Sequence, residues 1–244
     1  MDQWGDKKMP TINYCPHCAA IYPDDTLTEC TNCNTQIVSY NVQIVIVEQD
    51  KAESNYRSAI RSMVRALWAG VIDIDQAFDV GETSIRFGLT QAWNAGLQSV
   101  GDLPAEQSPQ QRIELQQMIA NEINLLFPFL LDIEANSKAN GGKLGPLFTR
   151  SEMWILRATD AENRARASAL SDPRLAWRLG ITEQHCGSCA RLDGKIKKAS
   201  YWQRLNIRPQ SPPNEKLECG GYKCLCFFEP TTEPQSRGPL PSLP

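Results

Sequence analysis

The residues best equipped for chemistry in this chain are its nine cysteines, and they are not scattered. Cys15, Cys18, Cys30 and Cys33 lie within the first 40 residues, and Cys186, Cys189, Cys219, Cys224 and Cys226 within the last 60. No cysteine occurs between positions 34 and 185. Cysteines that merely fill a core would be spread along the chain. Two tight groups point to metal binding.

The first group reads Cys15-Pro16-His17-Cys18, then eleven residues, then Cys30-Thr31-Asn32-Cys33. A Cys-x-x-Cys turn sets two thiolates on one side of a tight loop, and two such loops supply the four soft ligands of a tetrahedral zinc. The expected element is a structural zinc ribbon, set against disulfides or free thiols as the other readings. Four thiolates leave no open coordination position, so no Lewis-acid chemistry is expected there. His17 is read as exposed rather than as a ligand.

The second group reads His185-Cys186-Gly187-Ser188-Cys189 and resumes as Cys219-Gly220-Gly221-Tyr222-Lys223-Cys224-Leu225-Cys226. One zinc needs two of the last three thiols. The Gly-Gly pair lets the backbone turn tightly between Cys219 and Cys224. On a strand, Cys224 and Cys226 would share a face. The ranked quartet is Cys186, Cys189, Cys219 and Cys224, with Cys226 as substitute or spare. The bland reading is a reduced, partly buried cysteine cluster. Two structural zinc ions per chain are therefore expected, and His185, beside Cys186, is awkwardly placed to join them.

No other pattern offers catalysis. There is no phosphate-binding P-loop, no HExxH, no nucleophile elbow and no dinucleotide fingerprint. With two histidines in 244 residues, most histidine-based metallohydrolases and nucleases are excluded. Neither histidine is followed by the glutamate that a zinc deaminase needs. The expectation is a protein without catalytic residues.

The elements that must position these groups follow from periodicity. Residues 41–47 are β-branched and apolar and read as one strand closing the ribbon. Tyr56, Ile60, Met63, Val64, Leu67 and Trp68 recur at three- and four-residue spacing, a helix over about 50–70. Asp73 is an N-cap candidate for a second helix through Trp93, in which Gly81 and Gly88 weaken the helix or mark close packing. A third helix starts at Ser108-Pro109 and carries Ile113, Leu115, Met118, Ile119, Ile123 and Leu126 until Pro128 kinks or ends it. Residues 137–146 read as a flexible loop. A fourth helix runs from about 149 to 171, opened by Thr149 or Ser151 and broken by Asp172-Pro173. The apolar stripes, with Trp68, Phe78, Trp93 and Trp154, are read as core. The proline-rich end from Thr231 to Pro244 reads as a tail, extended or laid across a neighbour.

Composition fits a soluble globular chain, 41% hydrophobic and 22% charged with net charge −3. No apolar run is long enough for a membrane span, and the acidic start carries no secretory signal, so a reducing cytosol is expected. Charge is uneven: residues 143–208 hold 13 Lys/Arg against 6 Asp/Glu. That segment is read either as a solvated surface or as a face toward nucleic acid or an acidic partner, with Lys195, Lys197 and Lys198 as candidate contacts.

One stretch resembles a known family. The helix from Arg150 to Ala167, then Trp177-Arg178-Leu179-Gly180-Ile181-Thr182, Cys186-Gly187-Ser188-Cys189, Arg191-Leu192-Asp193-Gly194, a Trp202 segment ending Ile207-Arg208-Pro209, and the closing Cys224-Leu225-Cys226 follow one another in order. This resembles the C-terminal module of tailed-phage head morphogenesis proteins, the Mu F type of minor capsid protein, over about residues 149–230. Where that family often has a His-Pro pair before its Cys-x-Cys end, Cys219 and the Gly-Gly loop stand here, and the N-terminal ribbon looks like an addition.

The resemblance implies a structural minor virion protein that acts in head morphogenesis. Its partners would be portal or capsid subunits, with packaged DNA as a further contact. Its location would be the virion, and the host cytoplasm during assembly. The rival reading is a zinc-ribbon accessory protein that binds nucleic acid. The expected architecture is α+β: a mainly helical body flanked by two small Cys-rich zinc modules. Its expected parts are a zinc ribbon at 1–48, a helical domain at 49–139, a helix with the C-terminal zinc module at 147–230, and the tail at 231–244.

Overall fold

A computed structural model describes residues 11–14, 21–22, 28–29, 38–41, 49–182, 184–222 and 224–243. The chain divides into two compact units, Met1–Glu48 and Gln49–Pro244. In the first, β1 (Thr11–Tyr14) pairs antiparallel with β2 (Ile21–Tyr22) and with β3 (Val38–Asn41), in the order β2-β1-β3. The strand expected at 41–47 thus begins earlier, and beyond Asn41 it lies outside the described residues. So do Cys15, Cys18, Cys30 and Cys33.

The second unit starts with four long helices: α1 (Gln49–Trp68), α2 (Ile74–Gln98), α3 (Pro109–Ala135) and α4 (Leu144–Ala167). α2 packs against the other three. Its start is set by Asp73, whose Oδ1 accepts from the Gln76 amide at 2.8 Å while Gln76 Oε1 accepts from the Asp73 amide at 3.1 Å. Ser108 and Gln111 repeat this reciprocal cap at α3, with Pro109 in the first turn. Each such cap stabilises its helix by about 1 kcal/mol.

The core between these helices holds Ile60, Ile85, Leu89, Trp93, Leu126, Phe129, Leu130 and Ile133, all fully buried, with Phe129 stacked at a tilt on Trp154 at 4.8 Å. Gly88 marks close packing: a Cβ there would come within 2.6 Å of the Tyr56 ring. Gly81 does the same against Leu126.

Four expectations need correction. Pro128 does not end α3, which runs on to Ala135. Proline removes one amide from the ladder, and the apolar face of Leu126, Phe129, Leu130 and Ile133 keeps the helix packed on both sides of it. Ile113 faces solvent, one step off the buried stripe of Leu115, Met118 and Ile119. The loop expected over 137–146 is shorter and held in place: Lys138 N donates to Trp68 O, Gly142 N to Ser137 O, and Trp68 Nε1 to Gly142 O. α4 accordingly starts at Leu144, after Lys143, and ends at Ala167, four residues before the expected end.

The rest of the unit is a small antiparallel sheet in the order β5-β4-β6, built from β4 (Arg174–Arg178), β5 (Ile196–Lys198) and β6 (Phe227–Pro230). Two short helices, α5 (Gly187–Leu192) and α6 (Ala199–Leu205), accompany it. Trp177, Trp202 and Phe228 form its centre, with ring centroids 5.3–5.9 Å apart. The sum is α+β and mainly helical.

Residues 49–139 and 147–230, expected as separate domains, fall in one unit because α4 serves both. Its first turns pack on the helices. Near its end Asn163 Oδ1 accepts from Phe228 N and Arg166 Nη1 donates to Phe228 O, both at 2.8 Å. The proline-rich end is not a free tail. Ser236 N donates to Ile196 O, Arg191 Nη1 to Ser242 O, and Leu240 and Leu243 pack on the second core, so it covers the exposed edge of β5. No helix among the described residues is long and apolar enough to cross a membrane.

Candidate metal centre

Three segments bring the C-terminal cysteines together. The first is the start of α5. Cys186 caps that helix, and its Sγ accepts from the Cys189 amide at 3.4 Å, so the knuckle aims both sulfurs the same way. The second is the turn at Cys219. It is stitched to the knuckle twice: Gly187 N donates to Glu218 Oε2 at 2.5 Å, and Glu218 N donates to Ser188 Oγ at 3.0 Å. The third is the lead into β6, which brings Cys224 and Cys226.

Two glycines allow the approach. Gly180, just past β4, lies so close to the Cys224–Cys226 segment that a Cβ would stand 1.9 Å from Leu225 O. Gly221, at φ +79°, takes the left-handed turn after Cys219, and a Cβ there would meet the Ser211-Pro212 backbone at 2.9 Å.

The sulfurs fall into two overlapping sets, Cys186/Cys189/Cys219 and Cys189/Cys224/Cys226, each with all sulfurs within 4.8 Å of one another. Cys189 and Cys226 are buried; Cys186, Cys219 and Cys224 are half-buried. Cys189 and Cys219 are 4.0 Å apart, Sγ to Sγ. A tetrahedron with zinc–sulfur bonds of about 2.3 Å has sulfur–sulfur edges of about 3.8 Å, close to the Cys189–Cys219 separation. These cysteines could hold a metal ion.

The electrostatics agree with a thiolate site. Cys189 is pushed up, foremost by its hydrogen bond with Cys219, because it holds a proton that it shares with its neighbours. Cys224 is drawn down, first by Cys189 and then by Cys219. Cys226 is drawn down to about 4, foremost by the hydrogen bond from Cys189, with help from the Gly180 amide and the Trp177 indole. That indole nitrogen is buried and makes no regular hydrogen bond among the described residues. A dication among these sulfurs would take the place of the shared proton. Cys226 is therefore part of the cluster. His185 stands outside it, with Nδ1 3.1 Å from Thr182 Oγ1.

The basic candidates divide. Lys197 is buried, and its Nζ donates to Ser236 O at 2.8 Å and Gly238 O at 2.6 Å, above the Tyr201 ring. It holds the tail and is closed to a partner. Lys198 is exposed and paired with Asp172 at 3.1 Å. Lys195 is half-buried. Much of the positive charge of 143–208 is likewise met inside the fold: Arg157 by Glu122, Arg164 by Asp160, Arg166 by Glu162, and Arg208 by Glu114.

Sequence reasoning missed Asn163 and Arg166 as the pins that hold β6. Their signal was present: polar residues interleaved with Ala158, Ala161, Ala165 and Ala167, small side chains that let another element come close. No known protein family, no curated protein and no solved structure matches this chain.

Proposed function

We propose that this chain is a structural minor virion protein of a tailed phage, associated with portal or head shell during head morphogenesis and stapled by structural zinc. One observation carries the reading. The segments that resemble the Mu F type of minor capsid protein are dispersed over about 80 residues, and they close into one module around Trp177, Trp202 and Phe228, with all five sulfurs gathered at its edge.

Cys189, the sulfur common to both sets, forms with Cys219 and Cys224 the common part of the ligand set in this reading. Either Cys186 or Cys226 completes it. A zinc held by four thiolates has no position left for substrate, so its role is to hold the fold. The N-terminal group, Cys15, Cys18, Cys30 and Cys33, supplies a second structural zinc in this reading.

Mass spectrometry of purified virions and procapsids tests the function. The protein is expected in both or in procapsids alone. Its absence from both, with recovery instead in host polymerase or replication complexes, replaces this reading with the nucleic-acid accessory one. Metal content of Cys186→Ser and Cys226→Ser settles the fourth ligand, since only one of the two should lose zinc.

A further inference from the structure

A second group of positive charge, outside the segment that the charge count singled out, lies on α1. Arg57, Arg61 and Arg65 stand four residues apart on α1, and Ser58 and Ser62 follow the first two, giving Arg-Ser-x-x-Arg-Ser-x-x-Arg. Four-residue steps return to nearly the same side of a helix, so the three guanidiniums form one row about 12 Å long. Ser58, Arg61, Ser62 and Arg65 are exposed, and with Arg57 they line a shallow cavity of about 330 Å³.

Glu152 of α4 meets this row and is shared by Arg57 and Arg61. Arg65 has no ion pair among the described residues. Phe148 orders the row from beneath, its ring centroid 5.7 Å from Arg61 Cζ and 5.6 Å from Arg65 Cζ. Two guanidiniums are thus held over one ring, and less side-chain freedom is left to lose on binding.

The row continues past the end of α1. Lys138 N is bonded to Trp68 O and Gly142 O to Trp68 Nε1, which seats the loop carrying Lys138 and Lys143 at that end. Both lysines are exposed. Of the acids close by on α3, Asp132 is taken by Arg150, and Glu134 is exposed.

We propose that this face, Arg57, Arg61, Arg65, Lys138 and Lys143 with the two serines, is a contact surface for the phosphodiester backbone of duplex DNA. Guanidinium forks match phosphate oxygens two at a time, and serine hydroxyls donate to the same oxygens. Over about 12 Å one strand of a duplex presents three to four phosphates, a count that the row meets. A single strand is disfavoured, because Phe148 lies under two guanidiniums and offers no stacking face. Phosphate contacts carry no sequence information, so binding through them is independent of sequence. The proposal deepens the virion reading by naming the surface that meets DNA, and it does not depend on the cysteine centre.

The test is fluorescence anisotropy of the full-length protein with a mixed-sequence duplex at several salt concentrations. Four to five phosphate contacts predict that log K falls against log salt with a slope of about −4. Arg61→Gln/Arg65→Gln should reduce that slope by about two and weaken binding at least tenfold at low salt. Lys138→Gln/Lys143→Gln, confined to a loop, should do the same and serves where the helix variant folds poorly. Wild-type protein without measurable binding overturns the proposal. So does a slope unchanged in both variants, which would move the contact to another surface, or tighter binding to an acidic polypeptide than to duplex. Binding by this face in a protein absent from phage particles would sink the virion reading alone.

Discussion

The helical core and the cysteine module share one unit and one helix, yet they are held by different physics. The first core gathers 22 buried residues from helices of 20 to 27 residues. The second gathers 11, two of them cysteines, from β4, β6, the short helices α5 and α6, the end of α4 and the segments between them. In the helical core many apolar contacts each carry a little, so damage should be graded. In the module a few groups serve several partners, so damage should be close to all-or-none.

The sharpest way to break this contrast is Cys189→Ser. Cys189 is the one sulfur that belongs to both sets, so its loss breaks each of them. A structural zinc contributes on the order of 10 kcal/mol to the folding of a small module. The variant should lose the C-terminal metal, and hydrogen exchange should show 174–230 open while 56–135 stays protected. Equal loosening of both regions would mean that the two cores are one cooperative structure.

Trp93→Ala probes the other side. Trp93 is fully buried among the long helices, and truncation of a buried aromatic costs about 3–5 kcal/mol. Denaturant unfolding should show that loss for the whole unit with zinc content unchanged. Zinc loss at equal protein concentration would tie the centre to helical packing more tightly than the contrast allows.

Asn163→Ala tests the joint between the regions. It leaves the buried Phe228 amide without its acceptor, a cost of about 1–3 kcal/mol. The exchange of β6 amides should rise more than that of α2. An unchanged β6 would show that the Arg166 bond to Phe228 O carries the joint alone.

How much could be read in advance follows the same division. Helices α1 to α3 were legible because an apolar stripe repeats over many residues, and because Asp73 and Ser108 mark their starts with side chains suited to one task. The knuckle at Cys186 and Cys189 was legible because two thiols three apart have few other uses. What escaped was set by contacts between distant segments. Cys226, named in advance but ranked behind the other four, is carried to the cluster by the pairing of β6 with β4 and by the close approach that Gly180 admits. α4 began early because residues 137–143 are tied to Trp68. The basic tally of 143–208 is incomplete because a sum over one segment cannot see that Arg157 and Arg208 are answered by Glu122 and Glu114 of α3, outside it.

The smallest expected effect separates two adjacent lysines of β5. Successive strand residues point to opposite faces, so Lys197 turns inward to the tail and Lys198 outward to Asp172. Partial burial pushes the Asp172 carboxyl up, but hydrogen bonds from the Ser200 amide and hydroxyl and from Lys198 outweigh it and hold the group below the ordinary carboxylate value. A depressed carboxyl stabilises the fold fully above its unfolded value of about 3.9 and loses that contribution as pH falls through the folded one, so the pair is intact at neutral pH. It is nevertheless solvent-screened, with the Lys198 side chain 53% exposed. Lys198→Met should therefore change stability by less than about 1 kcal/mol, and less still in high salt. Lys197→Met keeps the apolar stem but removes two charge-assisted bonds to tail carbonyls, and limited proteolysis should then release residues beyond 231. A tail kept in place in the Lys197 variant would show that Leu240, Leu243 and the Ser236 bonds to Ile196 hold the strap without help from that buried ammonium, and a tail freed by the Lys198 change would show that the outer pair carries it instead.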